Sequence, residues 1–324
     1  SAWVETSSVR RNSVPVSPTS ISIQPVVYES GGITVSWTAS EDADNNVVAY
    51  ELERAASADG SSWGTYAVVD SSIILLFFVD SPTIARSEYV KYRVRARDAF
   101  GLQSGYTESV SVRRNRVPGS PVINLPGEGK TTYNPRHRML LTLGVDPDGQ
   151  AMSLIADGYT LSSDGPFASG RKLILRKTTN ATVGALAVSI AAVDTQGAQS
   201  EVVEWSGAYV ASSWIDSDLA AGTTRIRATH INELRTKINT MRGYYGISSY
   251  VWAETILSGT TSLRGWTAHI NELQAAVNEV ISLVNGWDTT AVRNNITVPS
   301  WVNVDDGLPK AAAITQLRSL IAQL

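Results

Sequence analysis

The chain of 324 residues has no cysteine, which excludes disulfides, thiolate metal sites and cysteine nucleophiles at once. That absence fits an intracellularly assembled particle and a bacterial surface protein equally. Only three histidines occur, His137, His230 and His269. A serine triad would have to use one of them, and no nucleophile-elbow motif surrounds any serine. No phosphate-cradling glycine loop is present, and acid-rich segments that would line a glycosidase cleft are missing, so the chain reads as non-enzymatic. Charge is equally sparse: 18% of residues are charged and the net charge is −3, too little field for nucleic acid or an anionic membrane. The longest apolar run, Ile73 to Val79 (IILLFFV), is far short of a membrane span and predicts a buried strand instead. No charged and apolar leader of the secretory kind opens the chain.

What is present is repetition. Arg10-Arg11-Asn12-Ser13-Val14-Pro15 returns as Arg113-Arg114-Asn115-Arg116-Val117-Pro118, each copy with a glutamate a few residues upstream (Glu5, Glu108). Proline cannot continue a strand ladder, so the recurring segment marks a joint between modules. Residues 1–13 then read as the last strand and linker of a preceding module. Residues 14–115 form one module, 116–210 a second and 211–324 a third.

The first module predicts short strands with period-2 alternation: 21–27, 33–37, 47–54, 66–69, 73–79, 89–97 and 106–112. Strands this short, separated by turn-formers, predict a two-sheet sandwich. Trp37 and Tyr92 alternate with polar neighbours and belong to its core. Arg93, Arg95 and Arg97 share the other face, where they either hold an acidic partner or are solvated opposite Glu51 and Glu53, the plainer reading. The second module predicts strands near 138–145, 151–156, 171–177, 183–193 and 199–205. Its Asp146-Pro147-Asp148-Gly149 could lend Asp146 and Asp148 to calcium, but it is also an ordinary turn.

ITVSW (33–37), VVAYELERA (47–55) and YRVRARDAFGLQS (92–104) resemble the fibronectin type III domain, with Trp37, Tyr50, Tyr92 and Ala96 in the family's order. The second module resembles fibronectin or immunoglobulin-like domains more weakly, because its second strand has no tryptophan. The resemblance implies a sandwich fold and a spacer or binding role, and implies no activity.

The third module changes period. Ile231, Leu234, Ile238 and Met241 make one helical stripe; Ile270, Leu273, Val277 and Val280 make a second, 39 residues on; Ile314, Leu317, Ile321 and Leu324 make a third. His230-Ile231-Asn232-Glu233-Leu234 and His269-Ile270-Asn271-Glu272-Leu273 are copies, and Ala313-Ile314-Thr315-Gln316-Leu317 is a worn one. The whole chain is thus two fibronectin type III or Ig-like β-sandwiches followed by a small all-α repeat domain of three main helices. His230, Glu233, His269 and Glu272 could assemble a metal site between helices, but first-turn capping and interhelix hydrogen bonding are the simpler roles. Loops before the helices carry Trp214, Trp252, Trp287 and Trp301. With Tyr244 and Tyr245 these either fill the core or contact a partner or glycan.

The Ile226-Arg227 and Leu263-Arg264 turns leading into these words resemble repeats of bacteriophage tail and prophage structural proteins and of modular bacterial surface proteins. That resemblance implies a virion tail or extracellular location, with other proteins of the same assembly or a host cell-surface glycan as partner. An accessory glycan-binding region of a secreted enzyme or adhesin is the alternative.

Overall fold

The computed structural model describes residues 11–24, 27–28, 31–81, 89–219, 226–256, 266–289, 295–297, 299–302 and 311–324. Most of the segment assigned to a preceding module, and the Leu263-Arg264 turn, lie outside them. The chain divides into two compact units, Ser1–Val117 and Pro118–Leu324, with the break inside the second copy of the proline joint.

The first unit runs β1 (Ile21–Ile23), β2 (Val27–Tyr28), β3 (Ile33–Trp37), β4 (Val47–Ser57), β5 (Ala67–Ile73), β6 (Phe77–Asp80), β7 (Tyr89–Asp98), β8 (Thr107–Glu108) and β9 (Val112–Asn115). One sheet has the order β1-β3-β6; the other is β2-β9-β7-β4-β5, with β8 beside β7. Alternation is strict in β7, where Val90, Tyr92, Val94 and Ala96 point inward to meet Ile33, Val35, Trp37, Tyr50 and Leu52. The opposite face of β7 holds the arginines. Glu53 accepts from Arg93 at 2.6 Å and Glu51 from Arg95 at 2.6 Å, while Tyr66 and Tyr106 lie against the Arg93 guanidinium at 4.1 and 4.0 Å. That face is filled by its own carboxylates and rings.

The run Ile73 to Val79 does not form one buried strand. Ile73 ends β5, residues 74–76 turn, and Phe77 begins β6 at the edge of the smaller sheet. Ile74 is 78% exposed, and Leu75, Leu76, Phe77 and Val79 are exposed as well. A strand at a sheet edge can turn only alternate residues inward, so Phe78 packs on the core and its neighbours cannot.

The second unit holds β10 (Val122–Leu125), β11 (Lys130–Thr132), β12 (Arg138–Thr142), β13 (Met152–Ala156), β14 (Tyr159–Leu161), β15 (Lys172–Lys177), β16 (Gly184–Asp194) and β17 (Val203–Tyr209). Three helices follow: α1 (Ala228–Tyr244), α2 (Trp266–Trp287) and α3 (Ala311–Ile321). Its sheets are ordered β10-β12-β15-β14 and β11-β17-β16-β13. In β12 four consecutive residues are buried, and in β15 Leu173, Ile174 and Leu175 are. Consecutive burial means that both faces of the strand are covered. One face meets the other sheet and the second meets helices. Tyr244 donates to Arg138 O, Trp287 Nε1 to Leu141 O at 3.1 Å, and Arg138 to Gln323 O at 2.5 Å.

Where the sequence suggested a boundary at residues 210 and 211, the structure has one apolar interior running from Met139 and Leu173 through Ile231, Ile270 and Ile314. The helical stripes are its third layer, and a stripe this wide has to be buried against something. The sandwich supplies that surface.

Candidate functional site

The tryptophan loops and the helical words meet in a recurring clamp. In the first, Glu233 of α1 accepts the Ile215 N–H at 3.1 Å, next to Trp214. Arg318 of α3 donates to Ile215 O at 2.8 Å and Asp216 O at 2.9 Å, approaches Glu233 at 3.4 Å, and stacks 4.8 Å from the Trp214 ring. In the second clamp, Glu272 of α2 accepts the Ala253 N–H at 2.8 Å, next to Trp252. Here Arg235 of α1 donates to Glu254 O at 2.7 Å and to Glu272 at 3.2 Å, and stacks 4.8 Å from the Trp252 ring. In the third, Gln316 of α3 brackets Trp301, accepting from Val302 N at 3.1 Å and donating to Ser300 O at 2.7 Å.

The charges vary together around this ring. Arg235 and Arg318 stand two residues after Glu233 and Gln316, and the corresponding position after Glu272 is Gln274. The helix whose own clamp is a neutral glutamine has no arginine sent to it at that position. A buried guanidinium without a carboxylate would cost several kcal/mol, so the two losses belong together.

His230 does what a first-turn glutamate was expected to do. Its Nδ1 accepts the Arg227 N–H at 2.9 Å, reaching back to the residue before α1, and its Nε2 meets Asp216 at 3.0 Å. With Nδ1 accepting, the neutral ring carries its proton on Nε2. His269 repeats half of this, with Nε2 3.6 Å from Glu254. The two His and Glu pairs are thus engaged separately. Among the described residues, no group of three or more His, Asp or Glu is placed to hold a metal ion. Asp146 Oδ1 accepts from Asp148 N at 2.8 Å and Gln150 N at 3.0 Å, which makes this segment a side-chain-stabilised turn.

Tyr244 and Tyr245, considered as partner or glycan contacts, are each 1% exposed and offer no surface. Their rings pack edge to face at 5.0 Å, and Tyr245 donates to Leu324 O at 2.8 Å. Trp214, Trp252, Trp287 and Trp301 are half-buried against the core and keep partial access to solvent. Lys172 lies 4.6 Å from the Trp287 ring.

Two grooves flank α1. One, of about 490 Å³, is lined by Tyr133, Ser213, Ile215, Thr229, Asn232, Glu233, Thr236 and Lys237; the other, of about 360 Å³, lies beside Trp252 and Arg235. Lys237 is 9% exposed, and its ammonium sits 4.6 Å from the Tyr133 ring and 4.7 Å from the Trp214 ring. Burial pulls its pKa below the ordinary lysine value; Glu233 partly restores it and Arg318 opposes that. Lys237, not among the sequence candidates, thus lies nearly buried between two rings in the wall of the larger groove. Its signal was a lysine one helical turn from Glu233 on an otherwise neutral face.

No protein-family model matches this chain, and no curated protein does. Among solved structures it is similar to the fibronectin(III)-like modules of Clostridium thermocellum CbhA, at 15% identity and a TM-score of 0.31, covering 59% of this chain and 94% of that one. It is also similar to the chicken CNTN1 FN1–FN3 domains, at 10% identity and 0.27, covering 66% and 73%. The PKD domain of an M14-like peptidase from the Thermoplasmatales archaeon SCGC AB-540-F20 covers 29% of this chain and 97% of its own, at 24% identity and 0.24. Likenesses this low carry no argument about activity. Among the described residues no helix is long and apolar enough to cross a membrane.

Proposed function

We propose that this chain is a non-enzymatic structural and adhesion protein, a component of a phage or prophage tail or baseplate. Its first sandwich serves as a spacer and its second carries a helical layer that docks other proteins of the assembly. The observation that supports this reading is the fate of the residues best suited to chemistry. His230, Glu233, His269 and Glu272 are spent on closing loops onto helices, so the ring they build is a fastener rather than a reaction centre. Mass spectrometry of particles purified after prophage induction tests it. The chain is expected in the tail fraction in stoichiometric amounts, and its absence from particles alongside presence in the cell-envelope fraction overturns the proposal.

A second reading is favoured by the two grooves beside α1, each next to a half-buried tryptophan loop and edged by hydroxyl and amide side chains. Such surfaces suit glycans, which need polar contacts fixed around an apolar wall. In this reading the unit is the glycan-binding region of an adhesin or of a secreted enzyme. Glycan-array binding that Trp252→Ala abolishes with helicity unchanged supports it; an array blank for the wild-type chain overturns it.

A further inference from the structure

Lys237 is a charged side chain of the larger groove whose environment the clamps do not account for. Arg235, Arg242 and Arg318 each have a carboxylate and a backbone carbonyl as partners. The Lys237 ammonium has neither among the described residues, although nine-tenths of the residue is buried. Two aromatic rings lie against its ammonium, which attracts the cation without using any of its three N–H donors. The charges that act on it, Glu233 and Arg318, have opposite sign and are already joined to each other at 3.4 Å. The groove floor therefore carries a positive charge that no carboxylate contacts among the described residues, held in place by packing.

The rest of the lining has a consistent chemistry. Thr229, Asn232, Glu233, Thr236 and Lys237 follow one another at helical spacing along one face of α1. Asn232 spends its N–H on Ile256 O at 2.8 Å, and its amide oxygen has no partner among the described residues. Glu233 offers a carboxylate edge that accepts hydroxyls, and Tyr133 provides an aromatic wall. We infer that the groove lined by Tyr133, Ser213, Thr229, Asn232, Glu233 and Lys237 binds a carboxylated sugar of the uronic-acid class, its carboxylate on the Lys237 ammonium and its hydroxyls on the α1 side chains. A bare anion would leave the acceptors unused, and a neutral sugar would leave the ammonium unmatched; a buried polar group without its partner costs free energy. At about 490 Å³ the groove is of small-ligand size. This inference rests on the glycan-binding reading of the grooves and adds the class of sugar.

The test titrates the full chain with trigalacturonate, maltotriose, acetate and inorganic phosphate, reading heat and tryptophan fluorescence. Trigalacturonate is expected to bind at least tenfold more tightly than maltotriose. Lys237→Met, which keeps an unbranched apolar stem between the two rings, is expected to weaken it at least tenfold with the far-ultraviolet spectrum unchanged. Thr229→Glu, which places a like charge at the rim, is expected to weaken it about fivefold in a fold that keeps Lys237. Maltotriose binding as tightly as trigalacturonate and indifferent to Lys237→Met sinks the acidic-sugar inference and leaves the glycan reading standing. Acetate or phosphate binding as tightly as trigalacturonate reduces the groove to a simple anion site and overturns the inference. Binding of none of the four probes removes the inference and leaves Lys237 as a packed, hydrated cation.

Discussion

Leu140 tests whether the sandwich and the helices of the second unit are one folding body. It is fully buried and pairs with Ile174 across β12 and β15. Alternation puts it on the same face as Arg138, which bonds to Gln323 O beyond α3, and as Lys172, which covers Trp287 of α2. Leu140→Ala removes three carbons between the sheet and the helical layer. Buried leucine truncations cost roughly 2–5 kcal/mol, the lost transfer free energy adding to the unfilled cavity, so about 3 kcal/mol is a fair central value. For a body of about 200 residues that lowers Tm by roughly 6–12 °C. Native-state hydrogen exchange is the sharper assay. If the interior is shared, the slowest amides of α2 and of β16, a central strand of the other sheet, lose protection together by about a hundredfold, the population equivalent of that energy. Loss confined to α2 with β16 unchanged refutes the reasoning and restores independent sandwich and helical domains.

Further outcomes follow from particular contacts. His137 is fully buried with Nε2 2.8 Å from the Tyr159 hydroxyl; burial first, and Lys177 second, bring its pKa down to about 4. A depressed folded-state pKa gives stability that is complete above the unfolded value near 6.5 and is lost as pH falls toward 4, by about 3 kcal/mol. Urea titrations from pH 7 to pH 4 should show that slope, and His137→Gln should flatten it. Glu272→Gln strands the buried Arg235 and should cost roughly 3 kcal/mol, whereas adding Arg235→Gln, which copies the neutral third clamp, should recover most of the loss in a double-mutant cycle. Phe77→Thr with Val79→Thr on the exposed edge strand should leave Tm within about 1 °C and raise the concentration at which light scattering first reports aggregation.

Much of the local structure was legible because it depends on neighbours in the chain. The alternation in 89–97 and the three helical stripes are periodic patterns, and a period of 2 or 3.6 states which side chains share a face. The doubled Arg-Arg-Asn segment located the break between the units for the same reason: proline acts on its own backbone. The sequence carries one further signal, of burial on both faces. Met139-Leu140-Leu141 and Leu173-Ile174-Leu175 are continuous apolar runs, and such runs mean cover on both faces of a strand.

The remaining features were settled only by the folded chain. Seven apolar residues in 73–79 do not say that a turn will split them or that the second half will lie at a sheet edge, since exposure depends on which strand comes alongside. The paired loss of charge at Gln274 and Gln316 is meaningless until helices distant in sequence are adjacent, because an ion pair is a relation across space. So is the setting of Lys237. The chain by itself determined which stretches carry a strand or helix period and which of their faces are apolar. Packing decided which faces meet, and so which ammonium, among the described residues, sits between two rings with no carboxylate in contact.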